Sequence, residues 1–198
     1  MVTFAQSPAG AKLIAYLHPS RRKGERDHYR RCELGEAPAT LRALKGLAAD
    51  SAALAAWVFM IATAARPSQA LKARCNEIDL GKDLWTIPAE GMKTNRKQVA
   101  PLSSLARAVL KRQATVRMGD AVFSGPHGAL LSYNAFASAP TNAGLDAKAP
   151  HSWRSVFRDA CGDRLRVDRD LAEAARGHAP GASRAPMAEK RRSRPDAQ

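Results

Sequence analysis

Residues Asn76 to Leu102 read NEIDLGKDLWTIPAEGMKTNRKQVAPL, and this stretch breaks the helical period that governs the chain on either side of it. Its apolar runs are short and punctuated by Gly81, Pro88 and Gly91. Trp85 and Ile87, two residues apart, fall on one face of a strand, and Gln98 to Ala100 supplies an antiparallel partner. The segment between them, Ala89 to Lys97, reads as a hairpin loop carrying Lys93, Arg96 and Lys97.

Outward from this hairpin the pattern is helical. Thr40 can cap a short helix through Lys45, and Asp50 or Ser51 can cap a second in which Leu54, Trp57, Val58 and Ile61 recur at helical spacing. Pro67 suits the first turn of a third helix that Ala70, Leu71 and Arg74 continue. Downstream, Ser103 or Ser104 caps a helix with Leu105 and Val109 inward. Asp120 to Phe123 reads as a short strand and Ser132 to Gly144 as a helix. From Pro150 the apolar stripe Trp153, Val156, Phe157, Ala160 and Cys161 defines a buried face, while His151, Arg154 and Arg158 share a different one. A last helix runs from Val167 to about Arg176 and stops at Gly177. The expected fold class is therefore mainly α with a small antiparallel β-sheet. It divides into an arm or linker over 1–36, a domain over 37–178 and a basic tail over 179–198, where three prolines and few large apolar groups predict a solvated segment.

Bulk properties narrow the partners. The 198 residues suffice for one domain with a proper core. With 32 Lys and Arg against 18 Asp and Glu, the formal charge is +14, which attracts a polyanion, and double-stranded DNA is the expected partner. Cys32, Cys75 and Cys161 are odd in number and widely spaced, and the five histidines form no HxxxH or HExxH group, so neither disulfide nor metal site is expected. The most apolar stretch, Ala52 to Ala65, is too short to span a bilayer, so no membrane is expected as a partner and the expected location is cytoplasmic, at the bacterial nucleoid.

Five basic residues, Arg66, Lys93, His151, Arg154 and His178, suit one chemistry. A phosphodiester under attack gathers charge on its oxygens. Arginine forks grip those oxygens bidentately, while lysine and histidine can give up a proton to a leaving oxygen. Singly, each has an everyday explanation: Arg66 as a helix-end charge, Lys93 as a solvated loop residue, His151 as a polar helix start, Arg154 and Arg158 as an exposed stripe, His178 as a surface histidine.

Together they follow a family order. TAARPSQALKARCNEIDLGKDLWTIPAEGMKTNRKQVAPLS resembles the first half of a tyrosine-recombinase (phage-integrase) catalytic domain, HSWRSVFRDA its H-x-x-R box, and LAEAARGH its Leu-to-Gly-His segment. The order of WTIPAE, MK, PLS and VF is similar to prophage integrases of the P4 type. The resemblance implies a domain that nicks DNA through a tyrosine and rejoins it, in DNA integration and recombination. Arg66 and Arg154 would hold the scissile phosphate, Lys93 would act as acid toward the leaving oxygen, and His151 and His178 would assist. Arg96, Lys97 and Arg158 join Arg66, Lys93 and Arg154 as expected DNA contacts. No metal or nucleotide cofactor is implied, and a second copy or an intact integrase is a further partner.

Three departures set expectations against full activity. No tyrosine follows His178: where the family's nucleophile falls, the sequence reads RAPMAEKRR with Met187 and Ala188, and Tyr16, Tyr29 and Tyr133 all precede His151. Gln69 stands where the family commonly has a glutamate, which should weaken the support around Arg66. About forty residues precede the domain, so the family's N-terminal DNA-binding parts are expected to be missing. Strand cleavage is therefore expected to be lost. The alternative is a non-catalytic DNA-binding or regulatory remnant of a prophage integrase, and beyond that a decayed product with no selected role.

Overall fold

The apolar stretch after Ser51 becomes the hub. A computed structural model describes residues 32–91 and 96–177. In it Ser51 caps α2 (Ala52–Ala62), its side chain accepting from the Leu54 N–H at 3.3 Å. The expected spacing of Leu54, Trp57 and Val58 is present, but every residue from Leu54 to Met60 is buried and Ile61 only partly so. The reason is placement: α1 (Ala37–Leu47), α3 (Pro67–Lys72), α4 (Ser104–Val116) and α5 (Tyr133–Asn142) all pack on α2, and Ala55 and Ala56 add little bulk between them.

Aromatic contacts fix this arrangement. Trp57 stacks on Phe136 of α5 with centroids 5.2 Å apart, and its indole N–H donates to the Phe136 carbonyl at 2.6 Å. Phe59 reaches the other way, 4.9 Å from Trp85 and 5.3 Å from Phe123. Trp85 lies in β2 (Leu84–Ile87) of a three-stranded antiparallel sheet whose order is β1 (Ile78–Asp79), β2, β3 (Gln98–Pro101). The register pairs Trp85 with Ala100 and Ile78 with Trp85. Trp85 and Ile87 face the core as the alternation predicts, and the fold is mainly helical with this small sheet.

Several boundaries differ from the sequence reading. Helix α1 begins at Ala37, three residues before Thr40, with Pro38 in its first turn; the Thr40 hydroxyl donates back to the Glu36 carbonyl at 3.2 Å instead of capping. The two-residue β1 carries too little alternation to be seen in advance. Asp120 to Phe123 makes a single-rung bridge, Ala121 opposite Arg74, rather than a strand. The striped helix, α6 (Ser152–Asp159), widens at Ala160–Arg164 into a π-turn, with Leu165 N–H reaching the Ala160 carbonyl at 3.0 Å. Along this stripe Trp153, Val156 and Cys161 are buried, while Phe157 and Ala160 are only partly so. The last helix, α7 (Arg169–Ala175), starts two residues after Val167, where Asp168 accepts from the N–H groups of Asp170 and Leu171.

Phe59 is fully buried between two aromatic partners, so Phe59→Ala should destabilise the fold by about 3–5 kcal/mol. Urea unfolding of the full chain checks this, with a midpoint fall and an unchanged slope expected.

Candidate phosphate-binding site

The site is assembled at the end of α2. Ala64 adopts a left-handed conformation, φ 51°, and turns the chain so that Arg66 caps α3 and Pro67 opens it. From the other half of the domain comes Arg154 on α6, only 7% exposed. Its Nη1 donates to the Ala64 carbonyl, 90 residues away in sequence, and its Nη2 donates to the Arg176 carbonyl at 2.6 Å. One guanidinium thus fastens the Arg66 turn, α6 and the end of α7 together.

Its charge is held at a cost. Burial first, then the neighbouring Arg66 and Arg176 guanidiniums, lower the Arg154 pKa to about 10, with Glu173 opposing them. Glu173 is also the carboxylate that Arg176 Nη1 grips at 2.7 Å. Among the described residues, Arg66 Nη1 and Arg176 Nε are buried with no hydrogen-bond partner. Three guanidiniums, two spare buried donors and one nearby carboxylate leave a net demand for an anion.

Arg66 and Arg154 therefore meet, while the other expected residues are distributed differently. His151, the residue preceding α6, is exposed, so the face it was expected to share with Arg154 and Arg158 is split: Arg154 turns inward, whereas Arg158 is exposed and pairs with Asp159 at 3.0 Å. Arg96 and Lys97 are exposed just before β3. Lys93 and His178 lie outside the described residues, as do Met187, Ala188 and the segments 1–31 and 179–198. Arg176 was not anticipated. The only signal was its place before Gly177-His178, where the Gly-His pair drew the reading.

Support comes from amides. Gln69, buried on α3, accepts from the Arg66 backbone N–H at 2.7 Å and donates to Gln98 Oε1 at 3.4 Å. Gln98 in turn donates to the Ala175 carbonyl at 3.3 Å. Among the described residues no three His, Cys, Asp or Glu side chains gather as a metal would require, and no helix there is long and apolar enough to cross a membrane.

A helical domain with a small sheet and paired arginines from distant segments is the catalytic domain of a tyrosine recombinase. The sequence profile described as the phage integrase family matches residues 34–180, and the chain belongs to that family. It is 34% identical over 125 residues to prophage integrase IntZ of Escherichia coli, covering 61% of this chain and 31% of that protein. To the integrase of Enterobacteria phage P4 it is 32% identical over 120 residues, 51% of this chain and 27% of that one. The chain thus matches less than a third of the length of these curated relatives. Among solved structures it is similar in fold to XerA recombinase (TM-score 0.61, 15% identity, 86% of this chain and 64% of that one). It is similarly related to a lambda integrase dimer bound to a COC' core site (TM-score 0.59, 16% identity, 86% and 67%).

An anion seated on Arg66 and Arg154 relieves their repulsion and fills the spare donors. Sulfate at tenfold its Kd should stabilise the protein by about 1.4 kcal/mol beyond chloride at equal ionic strength, and Arg66→Ala should abolish that increment. The pH sign follows from the lowered Arg154 pKa. Below about 10 the charged group destabilises the folded state, and that penalty fades as pH rises above about 10 toward the ordinary arginine range, because the unfolded chain then holds the extra proton. Thermal melts at pH 7 and 10 check both, with a smaller sulfate increment expected at the higher pH.

Proposed function

We propose that this domain binds duplex DNA as the phosphate-gripping part of an integrase-type site-specific recombinase and does not itself cleave the strand. The observation that supports it is the convergence of Arg66 and Arg154, with Arg66 Nη1 buried and unpartnered and the Arg154 pKa lowered by burial first and by the neighbouring Arg66 second. In this reading Arg66 and Arg154 hold a phosphate, Lys93 is the acid toward the leaving oxygen, and His151 and His178 assist. Arg96, Lys97 and Arg158 contribute backbone contacts. The printed descriptions of similar structures, a lambda integrase tetramer on a Holliday junction among them, favour DNA and self-association as partners. A cytoplasmic, nucleoid-associated location follows from the same reading.

Loss of cleavage rests on the sequence Met187-Ala188, which stands where the family's tyrosine falls. That observation favours, as the working role, a regulatory DNA binder that occupies recombination sites or joins an intact integrase. Strand transfer by this chain would need a phenol supplied by another.

If the charge of +14 neutralises roughly five phosphates of a duplex, log K should fall with log salt at a slope near −4 to −5. Arg66→Ala should weaken binding by about 1–3 kcal/mol. Arg154→Ala should do so too and lower stability as well, since the Ala64 and Arg176 carbonyls lose their donor. Fluorescence anisotropy over a salt series reads both; binding insensitive to salt would point to another partner.

A nicked suicide duplex should trap no covalent adduct, whereas an adduct at Tyr133 or at a serine overturns the cleavage-defective reading. Met187→Tyr should restore cleavage only in part, because misplacement of a nucleophile by about 1 Å can cost roughly 10²-fold in rate.

A further inference from the structure

Two glutamines join the Arg66 turn to the end of α7 by a route separate from Arg154. The chain of hydrogen bonds runs from the Arg66 backbone N–H to Gln69 Oε1 (2.7 Å), from Gln69 Nε2 to Gln98 Oε1 (3.4 Å), and from Gln98 Nε2 to the Ala175 carbonyl (3.3 Å). Its two ends fix its direction. A backbone N–H can only donate and a carbonyl can only accept, so each intervening side chain must accept on one side and donate on the other. A neutral side-chain amide does this with its oxygen on one side and its nitrogen on the other.

The far end is built to receive the relay. Gly177 has φ +72°, and a Cβ placed on it would lie 2.1 Å from Gln98 Oε1. Glycine therefore serves two needs here, the left-handed turn that ends α7 and the close approach of the Gln98 amide. The Gly177 N–H donates to the Ala174 carbonyl at 2.9 Å and the Arg176 N–H to Glu173 at 3.1 Å, so the relay ends within the turn that leads to His178.

We propose that Gln69 and Gln98 are positioning residues, a neutral amide relay that sets the spacing between the Arg66 turn and the Gly177 turn on either side of the arginine cluster. The cluster's role as a phosphate cradle rests on the function proposed above; the relay does not. A carboxylate at either position breaks one link whichever way the remaining glutamine is turned. Placed between the Arg66 turn and the Arg176 end of α7, its negative charge would also compete with a DNA phosphate.

The test uses the full chain, first without DNA. In Gln98→Met, amide hydrogen exchange at Arg176 and Gly177 should lose about five- to tenfold in protection, while the Phe136 amide in α5 keeps its own. Gln98→Glu should show the same loss at neutral pH and recover it as pH falls through the glutamate range, about 4.3, because the protonated acid can again donate to Ala175. Gln98→Met should not recover. Gln69→Glu, which breaks the chain at the other link, should reproduce the loss if Gln98→Met fails to fold. Protection at Arg176 and Gly177 that stays at the wild-type level in these variants overturns the relay, as does a Gln98→Glu profile parallel to Gln98→Met at every pH. Affinity for a nicked duplex, measured alongside, should fall about three- to tenfold in Gln98→Met. If the wild type itself binds no DNA, the function proposed above fails while the exchange result still decides the relay.

Discussion

Arg154 sits inside the domain with both terminal nitrogens spent on backbone carbonyls, one on the Ala64 turn and one at Arg176. Each of those carbonyls lies just past the end of a helix, where no further helical N–H follows to bond it, and a buried charged donor is a strong substitute. The consequence reaches both halves of the molecule. The α2 end is fixed against α6, the α7 end is fixed against α2, and the Arg66 side chain is delivered beside a second guanidinium that it would otherwise avoid.

Such a cluster is tolerable only because it is overdetermined. Burial and two like charges already lower the Arg154 pKa to about 10, and Glu173 is the carboxylate that opposes them. The remaining support is neutral: carbonyl oxygens and the Gln69 and Gln98 amides. A second carboxylate would lower the internal repulsion, but it would also fill the place an incoming phosphate should take. Neutral amides hold the geometry and leave the charge imbalance for the ligand, which is how a preorganised anion site keeps its affinity.

The parts legible in the sequence were those governed by local rules. Ser51, Ser103 and Ser132 cap their helices because a hydroxyl before an apolar run satisfies free N–H groups. Trp85 and Ile87 turn inward because a strand alternates. The pairing of Arg66 with Arg154 was legible only through family resemblance, since no periodicity spans that separation. What escaped was set by tertiary geometry. The π-turn after Asp159 is not written in the spacing of the apolar residues, and the stripe read there overstates the burial of Phe157 and Ala160, which depends on what packs against α6. Arg176 and Gln98 look like ordinary surface residues until α7 is folded back onto β3, and Gln69 was read for the charge it lacks rather than for the two hydrogen bonds it makes.

On the function proposed above, binding and cleavage would depend on different parts of the chain. Arg66, Arg154, Arg176, Gln69 and Gln98 are all held by α3, α6, α7 and β3, through bonds that close among themselves. These bonds draw on residues from Ala64 to Arg176. On the function proposed above, a chain that lost the family's tyrosine would keep these donors, so its affinity for a phosphate and its capacity to cleave are separate properties, each with its own measurement.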